Sequence, residues 1–184
     1  MEKTEVKIIL ISTLVIAISS IVYELLIGAI ATYFLGNSVY QFSITIGIFM
    51  FSAGLGSFLS AKIKKDEIFN FITIEIIISL IGGCSSLILM LCFAYTRVYS
   101  VAMFSMLIVI GILTGLEIPL LIRILKRYFD LKFTVSQILA FDYIGALVGA
   151  VVFPLIMLPY LGIGLTAIVM GLLNILIAIL NSFF

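Results

Sequence analysis

Histidine is absent from this chain of 184 residues, and only 10% of the residues are charged. The first absence removes the commonest acid–base side chain and the usual zinc ligand. The second excludes an ordinary soluble domain, in which about a quarter of the residues are charged. Cysteine is nearly absent too: Cys84 and Cys92 stand in one apolar run. Their spacing fits no metal site, and thiols eight apart on one helix cannot pair, so both are expected to be buried and free. No metal, no cofactor and no nucleic-acid partner is expected; the formal net charge of +1 says little about partners, and where the charges lie says more.

What is present is apolar surface, 64% of the sequence. Helix-length apolar runs fall at 8–35, 39–61, 68–95, 98–122, 134–160 and 162–182. They are interrupted at Gly36-Asn37-Ser38, from Lys62 to Glu67, at Thr96-Arg97, from Arg123 to Phe133, and at Leu161-Gly162. Each run can cross roughly 30 Å of hydrocarbon as a helix. Barrel strands would be about ten residues long and strictly alternating, which these are not. The expected fold is all-α: a six-helix bundle integral to a membrane, one polytopic domain over residues 1–184, with the lipid bilayer as its first partner. Lys3 and Lys7 before an apolar core, with Ala17-Ile18-Ser19 as a cleavage site, imitate a signal peptide. The apolar run continues past that site, so a retained first helix is expected.

Orientation follows from Lys and Arg. Lys3, Lys7, Lys62, Lys64, Lys65, Arg123, Lys126, Arg127 and Lys132 fall on one side of the six runs, and Arg97 falls on the other. The expected location is the cell (inner) membrane, with both termini cytoplasmic.

Four acids lie inside the apolar runs: Glu24, Glu75, Glu117 and Asp142. An acid at the centre of a spanning helix costs about 2.5–3.5 kcal/mol on insertion scales, so each needs compensation. Glu24 shares its helical face with Ala17, Ser20, Gly28 and Ala31, which aims it into the bundle. Glu75 is followed on its own face by Ser79, Gly82 and Ser86. Glu117 precedes Pro119, which lacks a backbone donor and is expected to kink its helix. At about 1.5 Å per residue, Glu117 lies roughly 9 Å from Arg123, Asp142 roughly 15 Å from Lys132, and Glu24 roughly 18 Å from Gly36. One internal cavity is within reach of all three. An unpaired carboxylate in low dielectric either takes a proton or holds a cation. Four acids without a buried base favour a cation or proton site over four separate structural hydrogen bonds. Small residues recur at four-residue spacing, Ser52, Gly56 and Ser60 on the second run and Gly145 and Gly149 on the fifth, and are read as close helix packing.

The halves also correspond. A shift of 93 residues places Glu24 on Glu117, Ser43 on Ser136, Ala53 on Ala146 and Gly56 on Gly149. Three spans per half would invert the second half, as in many transporters with midplane sites. Identity at this shift is low, so coincidence stays open beside a true repeat. Ser43 and Ser136 join the four acids as candidate ligand-binding residues.

Several segments resemble the membrane domain of membrane-fused spermidine synthases, the polyamine aminopropyltransferases. They are Tyr23-Glu24, Leu35-Gly36-Asn37-Ser38-Val39-Tyr40, Gly54-Leu55-Gly56-Ser57-Phe58-Leu59, Gly115-Leu116-Glu117-Ile118-Pro119-Leu120, and the run from Asp142 to Ala150. The last two are similar to that domain's G-x-E-x-P-L and D-x-x-G-A-x-x-G patterns. The resemblance implies a cytosolic Rossmann-like domain that transfers an aminopropyl group from decarboxylated S-adenosylmethionine to putrescine. No catalytic motif of that domain stands in these 184 residues, which read as the membrane portion cut at a domain boundary. Two functions follow as expectations. One is a transporter-like module that binds a polyamine or related cationic small molecule. The other is an anchor and oligomerisation domain for an aminopropyltransferase domain or a second copy of the chain. An enzyme acting within the membrane is disfavoured, since no nucleophile–base arrangement is found.

Overall fold

A computed structural model of the chain describes residues 3–63, 66–95, 98–127 and 129–183. Long apolar segments must satisfy their own backbone groups, and here they do so as helices: α1 (Lys3–Leu35), α2 (Ser38–Leu59), α3 (Glu67–Tyr95), α4 (Tyr99–Leu125), α5 (Leu131–Val152) and α6 (Leu158–Asn181). A 3₁₀ turn at Ser60–Lys62 extends α2, and a π-helical turn at Phe153–Met157 joins α5 to α6. No strand occurs among the described residues. Five stretches are long and apolar enough to cross a membrane, the last being the 51-residue run Leu131–Asn181 that holds both α5 and α6.

That run is not straight. Gly162 has φ 68° and ψ −177°, a conformation that breaks the helix and suits glycine alone. Thr166 Oγ1 then donates to the carbonyl of Gly162 at 2.6 Å, and less closely to that of Met157 at 3.4 Å. Packing shows the outcome of the break. On one side of it, Gly145 meets Leu14 and Gly149 meets Ile18, so α5 runs parallel to α1. On the other, Asn181 Nδ2 at the end of α6 donates to Ser12 Oγ near the start of α1 at 2.7 Å, so α6 runs antiparallel to it. The chain therefore reverses at the Leu161-Gly162 interruption.

The first turn is built differently. Gly36 (φ 73°) and Asn37 (φ 50°) are left-handed, and Asn37 Oδ1 accepts from the Tyr40 amide at 3.3 Å. α1 forms the centre of the bundle and touches every other helix. Its Val22, Tyr23, Leu26, Ile27 and Ala31 are fully buried. α2 packs on α4, and α3 on α6, each through small residues. α4 continues unbroken through Pro119.

The outside of the bundle is apolar: Leu80, Leu87, Leu147, Leu155, Leu165, Leu172 and Leu176 are all exposed. Cys84 belongs to this outer surface and Cys92 is half-buried, which corrects the expectation that both are buried. An apolar run shows that a side chain avoids water, but not whether it faces a neighbouring helix or the surroundings of the bundle. Basic residues gather at one end. There Arg127 pairs with Glu67 at the start of α3, and Arg123 Nη1 donates at 2.7 Å to the carbonyl of Ile63 in the connection from α2 to α3. Lys64, Lys65 and Arg97 lie outside the described residues. At the other end Phe34 stacks on Phe93 at 3.9 Å, with Tyr99 edge-on to both.

Candidate functional site

Two of the four acids inside the apolar helices, Glu75 and Glu117, come together, and a third, Asp142, is within electrostatic reach of Glu117. Glu75 is on the inner face of α3 with Phe71, Ile78, Ser79 and Gly82, all buried, as its spacing requires. Glu117 is buried on α4 and Asp142 is half-buried on α5. The carboxyl of Glu117 lies within electrostatic reach of both Glu75 and Asp142. Tyr23, from the central helix, reaches the same pair of glutamates, and its ring occupies the space left by the missing side chain of Gly82.

Hydrogen bonding in this region is incomplete. The carboxyls of Glu75 and Glu117 interact with each other as a hydrogen-bonded pair, and the Tyr23 hydroxyl lacks a protein partner. So do Ser19 Oγ, Ser79 Oγ and Asn174 Oδ1, all buried on the helices around them. Buried polar atoms are nearly always paired, with protein groups or with water, so these atoms mark a polar patch in an otherwise apolar interior. No Lys or Arg lies within α3 or α4 at the level of these acids; the Arg127–Glu67 pair sits at the basic end.

The remaining candidates are placed elsewhere. Glu24 is buried with Ala17, Gly28 and Ala31, on the face its spacing indicates, and its Oε2 is unpaired. It adjoins Tyr23 in sequence but points about 100° around the helix from it, towards α2. Gly28 there meets Phe42, and the antiparallel register puts Glu24 near the level of Thr45, whose hydroxyl is buried and unpaired. Glu24 is thus a second polar position, separate from the three clustered acids. Ser43 and Ser136 are exposed on the outer face and take no part in the cluster. Ser52, Gly56, Gly145 and Gly149 are buried in helix contacts: a β-carbon on Gly56 would strike the carbonyl of Ile112, and one on Gly145 that of Leu14.

A cleft of about 710 Å³ opens at the basic end, lined by Asp66, Glu67, Ile68, Phe69, Ile72 and Arg127. It does not enclose the acids, but Ile72 is within one helical turn of Glu75 on α3. Among the described residues no group of three or more His, Cys, Asp or Glu is disposed to hold a metal.

Helices of this length, apolar outside and acidic within, define a bundle whose polar chemistry is internal. Several relatives share a name. The chain is 47% identical over 169 residues to a polyamine aminopropyltransferase of Leptospira interrogans, a match covering 92% of this chain and 34% of that protein. It is 39% identical over 176 residues to polyamine aminopropyltransferase 2 of Ralstonia nicotianae, covering 94% and 34%. With polyamine aminopropyltransferase 1 of Streptomyces coelicolor the identity is 37% over 169 residues, covering 91% and 32%. The chain spans about a third of the length of the curated relatives it matches, and is homologous to that part of them. No protein-family model and no solved structure matches it.

Proposed function

We propose that the chain is a six-span module of the cell membrane that binds a polyamine or related organic cation through its buried acids. The carrying observation is the pairing of Glu75 with Glu117 inside the bundle, Asp142 within electrostatic reach of Glu117, and no Lys or Arg on α3 or α4 at their level. Membrane insertion is supported by the exposed leucines and by the reversal at Gly162, which makes two helices of the long last run. The basic residues at one end favour cytoplasmic termini. Exposed Tyr33, Tyr40, Tyr95 and Tyr160 near the other end suit a lipid–water interface. The cleft with Asp66 and Glu67 at its rim offers a cation an approach from the basic end. The name these relatives share supplies polyamine as the ligand class.

An inverted repeat accords with this reading. Exchanging α1–α3 for α4–α6 turns the parallel α1–α5 contact into the parallel α2–α4 contact. Gly149 rests on Ile18 in the first, and Gly56 rests on Ile112 in the second. The 93-residue shift relates Gly149 to Gly56 and carries Ile18 to within one residue of Ile112.

A second reading is a membrane anchor and oligomerisation domain. It is favoured by the relatives, which carry an enzyme name and are about three times as long. Melting in detergent separates the two. A ligand that binds only the folded state stabilises it by about 2.7 kcal/mol at a hundredfold excess over Kd. Spermidine or putrescine should raise the melting temperature where choline chloride at matched ionic strength does not, and Glu117→Gln should abolish the rise. If wild type shows no polyamine-specific rise and Glu117→Gln is as stable or more so, the anchor reading holds.

A further inference from the structure

We propose that the Glu75–Glu117 pair holds a proton in the absence of ligand and releases it when an organic cation binds, so that the bundle exchanges protons for the cation. The inference rests on the polyamine reading and adds a second exchanging species to the same site. Its basis is a matter of donors and acceptors. An ionised carboxylate only accepts hydrogen bonds, whereas a protonated one carries a single O–H donor. The two side chains meet from α3 and α4, each at most 1% exposed, as a hydrogen-bonded pair. Among the described residues no N–H or O–H donates to either oxygen of Glu75 or to Oε1 of Glu117. The bond within the pair therefore draws its donor from one of the two carboxyls, which is then protonated. Two ionised carboxylates this close would repel in low dielectric, and one of them takes up a proton.

The surroundings supply no positive charge that could take the proton's place. Tyr23 on α1 and Asp142 on α5 are the titratable groups that face the pair. Glu24 on α1 is turned towards α2, and α2 and α6 carry no Asp, Glu, Lys or Arg. On α3 itself Glu67 is held by Arg127, and on α4 Arg123 is turned to the carbonyls of Pro119 and Ile63. An ammonium group brought between the carboxyls changes the balance. It donates to both of them, the O–H bond of the protonated one breaks, and that proton passes to water. The ammonium keeps its own protons and replaces the O–H as the donor. One positive charge enters for each proton that leaves, so the interior keeps its net charge throughout. By reciprocity, a proton that the cation drives off is a proton that weakens cation binding. A pair that serves only to join α3 to α4 keeps its proton at any cation concentration.

Two measurements on the purified chain in detergent test it. Infrared spectra of the ligand-free protein at neutral pH should contain the C=O stretch of a protonated carboxyl, shifted in deuterium oxide. The band should be lost from the Glu75→Gln/Glu117→Gln double variant, and from wild type as spermidine binds. The heat of spermidine binding in two buffers of different ionisation enthalpy should report about one proton released per cation, and Kd should rise about tenfold for each unit by which the pH is lowered. A wild type without the band, or one that binds spermidine with no proton release, overturns the exchange and leaves polyamine binding standing. A band that survives in the folded double variant puts the proton elsewhere and overturns the exchange as well. If the double variant does not fold, the proton count of wild type decides alone. A wild type that has the band but binds no spermidine overturns the polyamine reading, and the exchange falls with it.

Discussion

Tyr23 and Glu24 are neighbours in sequence with separate surroundings. Consecutive residues on a helix diverge by about 100°, so the tyrosine turns towards α3 and α4 while the glutamate turns towards α2. Helical spacing alone places Glu24 and Glu75 on inward faces, which the structure bears out. It does not say which helices those faces meet. That is why Tyr23 and Asn174 escape a reading by spacing, while Ser43 and Ser136, related by the 93-residue shift, turn out to face outward. A shift relates positions along the chain and is silent about direction. The Asn181–Ser12 hydrogen bond gives a prediction at this scale. It joins the last helix to the first in the buried interior, and a net contribution of about 1 kcal/mol is typical of such a bond. Asn181→Ala should lower stability in detergent by about that amount or somewhat more, because Ser12 is left unpaired, as read by denaturant-induced loss of helicity.

Helix contacts rather than individual polar bonds hold the bundle. On α2, Gly56 approaches the backbone of Ile112, while Gly54, two residues away, has no atom within 4 Å of its would-be β-carbon. Gly56→Leu and Gly149→Leu should each cost about 3 kcal/mol, since backbone cannot move aside as a flexible side chain does. Gly54→Leu should be nearly neutral in the same melting experiment. Equal melting of all three variants would mean that these faces do not pack. Part of the helix layout was legible: the runs 39–61 and 68–95 match α2 and α3 closely, whereas α5 ends at Val152, eight residues before its run does. Apolarity does not distinguish a surface facing lipid from one facing a helix, so Cys84 was misplaced. Gly162 supplies a further prediction. At φ 68° a β-carbon strains the turn by about 1–2 kcal/mol, so Gly162→Ala should destabilise the α5–α6 reversal although no atom blocks it.

Taken as a whole, the molecule is polar within, apolar without and basic at one end. Helices alternating in direction place Lys62, Arg123, Lys126, Arg127 and Lys132 together, and outward-facing leucines leave the acids as the interior's chemistry. Reporter fusions after Lys65, after Lys132 and at the C-terminus should therefore read as cytoplasmic, and fusions at Asn37 or Leu161 as external. A cytoplasmic reading at Asn37 would sink the six-span arrangement. The central claim, that the buried acids bind a polyamine, is tested most directly by equilibrium binding of radiolabelled spermidine to the purified chain in sodium-free buffer. The account predicts saturable binding near one per chain, lost in Glu117→Gln while the variant stays folded. No saturable binding by folded wild type, or undiminished binding by Glu117→Gln, would contradict it.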